Sequence, residues 1–391
     1  MSRYRSILTY AFGARLRTDG WAGALACALL LVTASGPVLS AQAILEGQRA
    51  HPVEGGQGMV ATSHHEASRV ALDVLRQGGN AIDAAVTAGF VLAVTQPRSG
   101  NIGGGGFMLI SNEKSGDVVA IDYREKAPAA AHEKLFQDEQ GDVVPMLSRF
   151  SHKSAGVPGT VAGFALALEK YGTLSLAEAL APAIALAEEG FQVPLRFTQG
   201  LRQAEERLKR WPSSDAKFYK PDGGYYAPGD TFVQPELAAT LRRIAQSGVK
   251  GFYEGEAARL IVEDMAKHGG LITTEDLRAY RPVIRKPVQG SYRGYDVYSM
   301  SPPSSGGTHI VQILNTLEGW PIRAHGHNTA KTIHLMAEAM RVAYADRAEY
   351  LGDPDFVDVP LDALTSKAYA AQTRASIDLH QARPSETVRP G

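Results

Sequence analysis

Four consecutive glycines, Gly103 to Gly106, run directly into the apolar segment Phe107 to Ile110. Backbone without side chains can make turns closed to other residues and can lie directly against another chain or a ligand. The loop is therefore a packing or binding surface. Glu113 to Asp117 carries a turn signal, and Val118 to Tyr123 reads as the partner strand of a hairpin. Arg124 follows within D-Y-R-E, at the end of a strand expected to be buried. A buried guanidinium requires a partner, because breaking such a pair costs on the order of 3 to 5 kcal/mol. Asp122 or Glu125 is the structural candidate, and an anionic ligand is the other.

The elements leading to this loop follow from periodicity. Ala67, Val70, Ala71, Val74 and Leu75 give helical spacing between Ser63 and Gln77. Gly78-Gly79 ends that helix, and Asn80 is placed to cap the next. The second helix, Ala81 to Thr95, is apolar nearly all round and is expected between layers. His64 and His65 precede the first helix without further ligands at metal spacing, so they read as capping or surface residues.

Beyond the hairpin, Gln137 to Ser154 reads as a connector, followed by a helix from Val161 to Tyr171. Leu174 to Gly190 is helical around Pro182, which predicts two short helices or one kinked helix. Charged and turn-forming residues between Phe191 and Asp230 predict a surface excursion. Helices resume at Pro235 to Ser247, Glu254 to His268 and Glu275 to Ala279, and two strands are expected at Pro287 to Tyr292 and Tyr295 to Met300. P-P-S-S-G-G, from Pro302 to Gly307, leads into a helix whose start suits capping hydroxyls or an anion. Thr329 to Tyr350 reads as a long helix with Leu335, Met336, Ala339, Val342 and Ala343 inward and Glu338, Arg341, Asp346, Arg347 and Glu349 available for pairs. Asp353, Asp355 and Asp358 lack the glycine and twelfth-position Glu of a calcium loop and read as a solvated turn.

At 391 residues the chain can bury a sizeable core. With 40 Lys+Arg against 41 Asp+Glu it has no charge excess to attract nucleic acid or an anionic membrane. Residues 1–43 read as a signal peptide: Arg3, Arg5, Arg15 and Arg17 form a basic region, Ala22 to Val32 an apolar run, and Ala41-Gln42-Ala43 a cleavage site. A membrane anchor needs about 20 apolar residues, and Gly36, Pro37, Ser40 and Gln42 interrupt too soon. Cys27 is the single cysteine and would leave with the signal. The mature domain, 44–391, would then be free of disulfides and thiolate chemistry, and periplasmic or secreted. There is no G-x-S-x-G elbow, no H-E-x-x-H and no paired cysteine. The glycine run leads into a strand, whereas a dinucleotide fingerprint leads from a strand into a helix.

G-N-I-G-G-G-G-F-M-L-I followed by D-Y-R-E-K-A-P resembles the signature of the γ-glutamyltranspeptidases (glutathione hydrolases) of the N-terminal-nucleophile hydrolase class. The resemblance extends in order through G-G-N-A-I-D-A-A at Gly78 to Ala85, P-G-T-V-A-G-F at Pro158 to Phe164, G-G-L-I-T-T-E-D-L at Gly269 to Leu277, P-P-S-S-G-G at Pro302 to Gly307 and Y-A-D-R-A-E-Y-L-G-D-P at Tyr344 to Pro354.

The resemblance implies an α+β fold, a four-layer αββα sandwich that is incomplete without a small subunit. It implies a zymogen that cuts itself into two subunits, and a new N-terminal threonine that attacks a γ-glutamyl amide such as glutathione with its own amine as base. The acyl group then passes to water, as in a hydrolase, or to an amino acid or peptide acceptor, as in a transferase. No metal or other cofactor is implied. Arg124 matches the family's clamp for the substrate α-carboxylate. The chain stops at Arg389-Pro390-Gly391, where the family continues to the threonine, so this large-subunit portion is expected to be inactive alone. The alternative is a non-catalytic γ-glutamyl-binding or interaction protein. If the signal is cleaved as read, N-terminal sequencing of exported protein should begin at Ile44 or a neighbour; retention of Met1 would overturn the reading.

Overall fold

The structure is a computed structural model that describes residues 54–391. The signal peptide expected over 1–43, with Cys27, lies outside the described residues.

Helix α1 (His65–Arg76) begins at His64, whose Nδ1 accepts from the Glu66 amide at 3.3 Å. The histidine pair thus does the capping expected of it, with His65 exposed. Helix α2 (Ala81–Thr95) is buried through most of its length, as its all-round apolarity predicted. It packs against α1, against α3 (Thr160–Tyr171) and against α4 (Leu176–Glu189). Asn80 and Asp83 form a reciprocal cap at its start. The Asp83 carboxylate, fully buried, also accepts from the Thr173 amide and hydroxyl at 2.7 Å each and from the Leu174 amide at 3.0 Å. Burial pushes this carboxyl up, but the bonds from Leu174, Thr173 and Asn80 outweigh burial and hold it below the usual range. One side chain therefore starts α2 and fixes the α3–α4 turn.

The hairpin forms as read. Strand β1 (Phe107–Asn112) pairs antiparallel with β2 (Asp117–Asp122), in a register that sets Phe107 opposite Asp122 and Leu109 opposite Ala120. Helix α4 runs unbroken through Pro182, where two helices were one expectation.

The segment 191–230 departs from its predicted surface character. Short strands β3 (Phe191–Gln192) and β4 (Thr231–Phe232) pair, and between them stand α5 (Leu195–Leu208) and α6 (Pro212–Phe218). Phe191, Leu201, Tyr219 and Phe232 are buried. The charges lie on the outer face of an amphipathic helix, so composition alone hid an inner one.

Helices α7 (Pro235–Ser247), α8 (Gly255–His268) and α9 (Thr274–Ala279) follow as read. Strand β5 (Val283–Arg285) was not foreseen. It pairs with β2 to give the order β1-β2-β5, leaving β1 and β5 as edges among the described residues. Strands β6 (Val288–Tyr292) and β7 (Tyr295–Ser299) form a separate hairpin closed by Arg293-Gly294, with φ of 50° and 85° as a tight two-residue turn demands.

Helix α10 (Gly306–Leu317) lies on the β6–β7 hairpin and against α11 (Ala330–Tyr350) and α12 (Lys367–Ala375). On α11 the expected inward set is partly wrong. Met336 is exposed, while Glu338 and Asp346, read as free for surface pairs, are fully buried. Glu338 binds Arg341 and Arg383, the latter through Nε at 2.6 Å and its amide at 3.0 Å. Asp346 accepts from Gln312 and from the Tyr369 hydroxyl at 2.8 Å each and from the Gly391 amide at 3.0 Å. The polar tail after α12 supplies part of what satisfies these acids, through Arg383 and Gly391. Among the described residues no helix is long and apolar enough to cross a membrane.

Two mid-helix glycines test the packing. A Cβ at Gly163 in α3 would fall inside contact distance of the Tyr123 ring, whereas one at Gly200 in α5 would meet only Arg98 at 3.6 Å. Gly163→Ala should destabilise by about 1–3 kcal/mol, and Gly200→Ala should stabilise by about 0.5–1 kcal/mol, read as opposite shifts of Tm.

Candidate functional site

The glycine loop meets the end of β2 back to back. The Gly106 amide bonds the Tyr123 carbonyl at 3.2 Å, and the Tyr123 amide returns to the Gly106 carbonyl at 3.0 Å. A Cβ at Gly105 would stand 2.5 Å from the Tyr123 carbonyl oxygen and 2.7 Å from the Glu125 nitrogen. Only a glycine lets these two backbones touch. The Gly104 carbonyl turns away to accept from the Gly159 and Thr160 amides at 2.8 and 3.0 Å, so it caps α3 where Gly159 has no side chain to do so.

Arg124 stands on this platform with its backbone held from three sides. Its amide donates to Asp122 Oδ1 at 3.0 Å, its carbonyl accepts from the Tyr280 hydroxyl at 2.8 Å, and Gly105 lies beneath its peptide. Burial pushes the Tyr280 hydroxyl well above its ordinary value, so it remains a donor.

The side chain differs from the sequence reading. Arg124 is exposed, because the strand end reaches the border of the fold. Its guanidinium lies 6.0 Å from the centre of the Phe107 ring and makes no ion pair among the described residues. Asp122 gives Arg124 only a backbone bond, and Glu125 forms no ion pair. Neither structural partner proposed for the guanidinium takes that role.

The partner that Asp122 does take was missed. Arg285 Nε donates to Asp122 Oδ2 at 2.8 Å, and its two terminal nitrogens reach the two Asp355 oxygens at 2.9 Å each. The fork matches carboxylate geometry, and Arg285 in turn holds the Asp355 carboxyl below the usual range. The acidic cluster read as a solvated turn is therefore tied to the sheet through Asp355. No local signal marks this link: Arg285 lies 163 residues from Asp122 and 70 from Asp355 in sequence.

A cavity of about 570 Å³ borders the glycine loop, lined by Asn101, Gly104, Gly105, Glu125 and Thr160 with an apolar wall from α2. The Arg124 side chain is not part of its lining. At P-P-S-S-G-G, Ser304 Oγ accepts from the Gly306 amide at 3.3 Å and Ser305 makes no cap bond, so one hydroxyl caps α10.

Among solved structures, Helicobacter pylori γ-glutamyltranspeptidase matches with a TM-score of 0.85 at 51% identity, covering 87% of this chain and 97% of that one. The Bacillus anthracis transpeptidase enzyme CapD matches with a TM-score of 0.67 at 35% identity, covering 81% and 99%. The fold is the α+β fold of the N-terminal-nucleophile hydrolases. The family model described as Gamma-glutamyltranspeptidase matches residues 67–390. The glutathione hydrolase proenzyme of Escherichia coli (strain K12) is 52% identical over 342 residues, 87% of this chain. The chain belongs to the γ-glutamyltranspeptidase family, and it spans 59% of the length of that Escherichia coli relative.

The platform gives a stability test. Removing one member of a buried pair leaves an uncompensated charge, at a cost of about 3 to 5 kcal/mol. Arg285→Ala should lower the unfolding free energy by about 3 kcal/mol, and Asp122→Asn in the same chain should restore part of the loss. Denaturant titration of the two single variants and the double variant checks both statements.

Proposed function

We propose that this chain is the large-subunit portion of a γ-glutamyltransferase/glutathione hydrolase, with residues 44–391 as its domain and Arg124 as the clamp for the α-carboxylate of the γ-glutamyl donor. The observation that carries the reading is the free guanidinium of Arg124 on an immobilised backbone. A planar guanidinium can take a carboxylate through two parallel hydrogen bonds, which fixes orientation as well as charge. Holding only the backbone leaves the fork available for the ligand and removes much of the ordering cost of binding.

In this reading the donor is a γ-glutamyl amide such as glutathione. The nucleophile is a threonine supplied by a small subunit cut from the same precursor, outside residues 1–391. Its hydroxyl adds to the amide carbonyl while its own amine takes the proton; the leaving amine departs, and the acyl-threonine passes to water or to an acceptor amino acid. Export follows from the signal read over residues 1–43.

Two features support a partner subunit. Among the described residues strands β1 and β5 are open edges, and open edges accept further strands. On α11, Ile333, Met336, Met340 and Tyr344 recur at three and four on one exposed face, an apolar stripe of the kind that marks an interaction surface.

In the two-subunit enzyme, Arg124→Ala should raise KM for a γ-glutamyl donor about tenfold to a hundredfold, the equivalent of roughly 1.5 to 3 kcal/mol for a charge-assisted bond. Arg124→Lys should rescue little, since one ammonium cannot reproduce the fork. Stability should change by less than about 0.5 kcal/mol, as for a surface substitution. An unchanged KM would remove Arg124 from the site, and a lowered Tm with normal KM would assign it a structural role.

A further inference from the structure

We propose that His152, Asp264 and His268 bind one divalent transition-metal ion of the Zn²⁺ type, which clips the 137–154 connector to α8. The site is far from the glycine loop in sequence and is independent of the function proposed above.

Asp264 and His268 are four residues apart on α8 and so share a face. His152 comes from the short turn His152–Ser154 at the end of the connector. Its Nε2 lies 2.9 Å from Asp264 Oδ2, and His268 Nε2 lies 3.5 Å from Asp264 Oδ1. One ligand atom from each residue falls within 4.8 Å of the other two. Zn²⁺ with bonds of about 2.0–2.1 Å in tetrahedral geometry sets its ligands about 3.3 Å apart, a spacing these atoms reach with small side-chain adjustment.

Both imidazoles present Nε2 to the same carboxylate, one to each oxygen: the His152 contact is a hydrogen bond at 2.9 Å, and the His268 contact is longer, at 3.5 Å. The rings stack at 4.7 Å with planes 24° apart, and Trp211 stands edge-on at 4.9 Å to one and 5.6 Å to the other. A single metal ion would take one lone pair from each of the two rings and one from the carboxylate.

The surroundings suit entry of an ion. His152 is largely covered, with 15% of its side chain exposed, whereas Asp264 is 60% exposed and opens the site to solvent, leaving a position for water. A Cβ at Gly270 would meet Met265 Sδ and stand 3.0 Å from His152 Cβ, so a side chain there would press on His152. Two nitrogen donors and one oxygen favour Zn²⁺, Ni²⁺ or Cu²⁺ and do not suit Mg²⁺ or Ca²⁺, which prefer all-oxygen shells.

The test titrates the full chain, stripped with chelator and dialysed, with ZnCl₂ by calorimetry, and follows Tm in parallel. The unmodified chain should take up one equivalent and gain Tm; MgCl₂ and CaCl₂ should do neither. His268→Ala should lose the equivalent or bind it more than about tenfold more weakly, as should Asp264→Asn, which keeps the shape of the side chain. His65→Ala, an exposed histidine elsewhere, should bind as the unmodified chain does. Absence of Zn²⁺ uptake by the unmodified chain, or an undiminished equivalent in a His268→Ala chain with a native circular dichroism spectrum, would overturn the proposal.

Discussion

The contact on which this fold depends is backbone against backbone, where the Tyr123–Arg124 peptide lies on Gly105 and Tyr123 is enclosed by Gly159 and Gly163. It brings together a hairpin, the start of α3 and the segment carrying Tyr280. Each approach is closer than a Cβ would permit, so the three glycines are fixed by geometry rather than by loop flexibility. The same contact orders the end of β2 and gives Arg124 a defined direction of exit. The backbone share of the conformational entropy at this position is thus lost already on folding, while the exposed side chain keeps its own.

Buried acids make the remaining long-range ties. Asp83 joins α2 to the α3–α4 turn, Asp122 joins the sheet to Arg285 and through it to Asp355, and Glu338 and Asp346 hold the tail on α11. In each case the carboxylate is compensated by several donors, as burial of a charge demands. Among the described residues the buried apolar side chains fall into two clusters. The main core gathers residues from α1 through Tyr280, while Leu317, Leu335, Ala339 and Ile377 form a small separate cluster.

Much of this was legible in the sequence wherever the cause was local. Asn80 caps α2 as read, α2 is apolar all round and is buried, and the turn at Arg293-Gly294 closes its hairpin. What failed depended on distant partners. Asp355 looked solvated because Arg285 was not in view, and Glu338 looked like a surface acid because Arg383 satisfies it from another segment. Segment 191–230 looked exposed because its charges mask an inner apolar face. At the candidate site, the motif located Arg124, while its exposure and the transfer of Asp122 to Arg285 required coordinates. Strand β5 is three residues long and too short for its periodicity to register.

The exposed stripe on α11 carries two thioethers, Met336 and Met340. Methionine is unbranched and polarisable, so it conforms to irregular neighbours at small conformational cost. The same sulfur atoms are open to oxidants until something covers them. Conversion to the sulfoxide would replace two apolar contacts with polar, chiral groups at the centre of the stripe. In an oxidising compartment the face therefore has a chemical lifetime: covered early it stays greasy and adaptable, and left bare it loses the character that makes it adhesive.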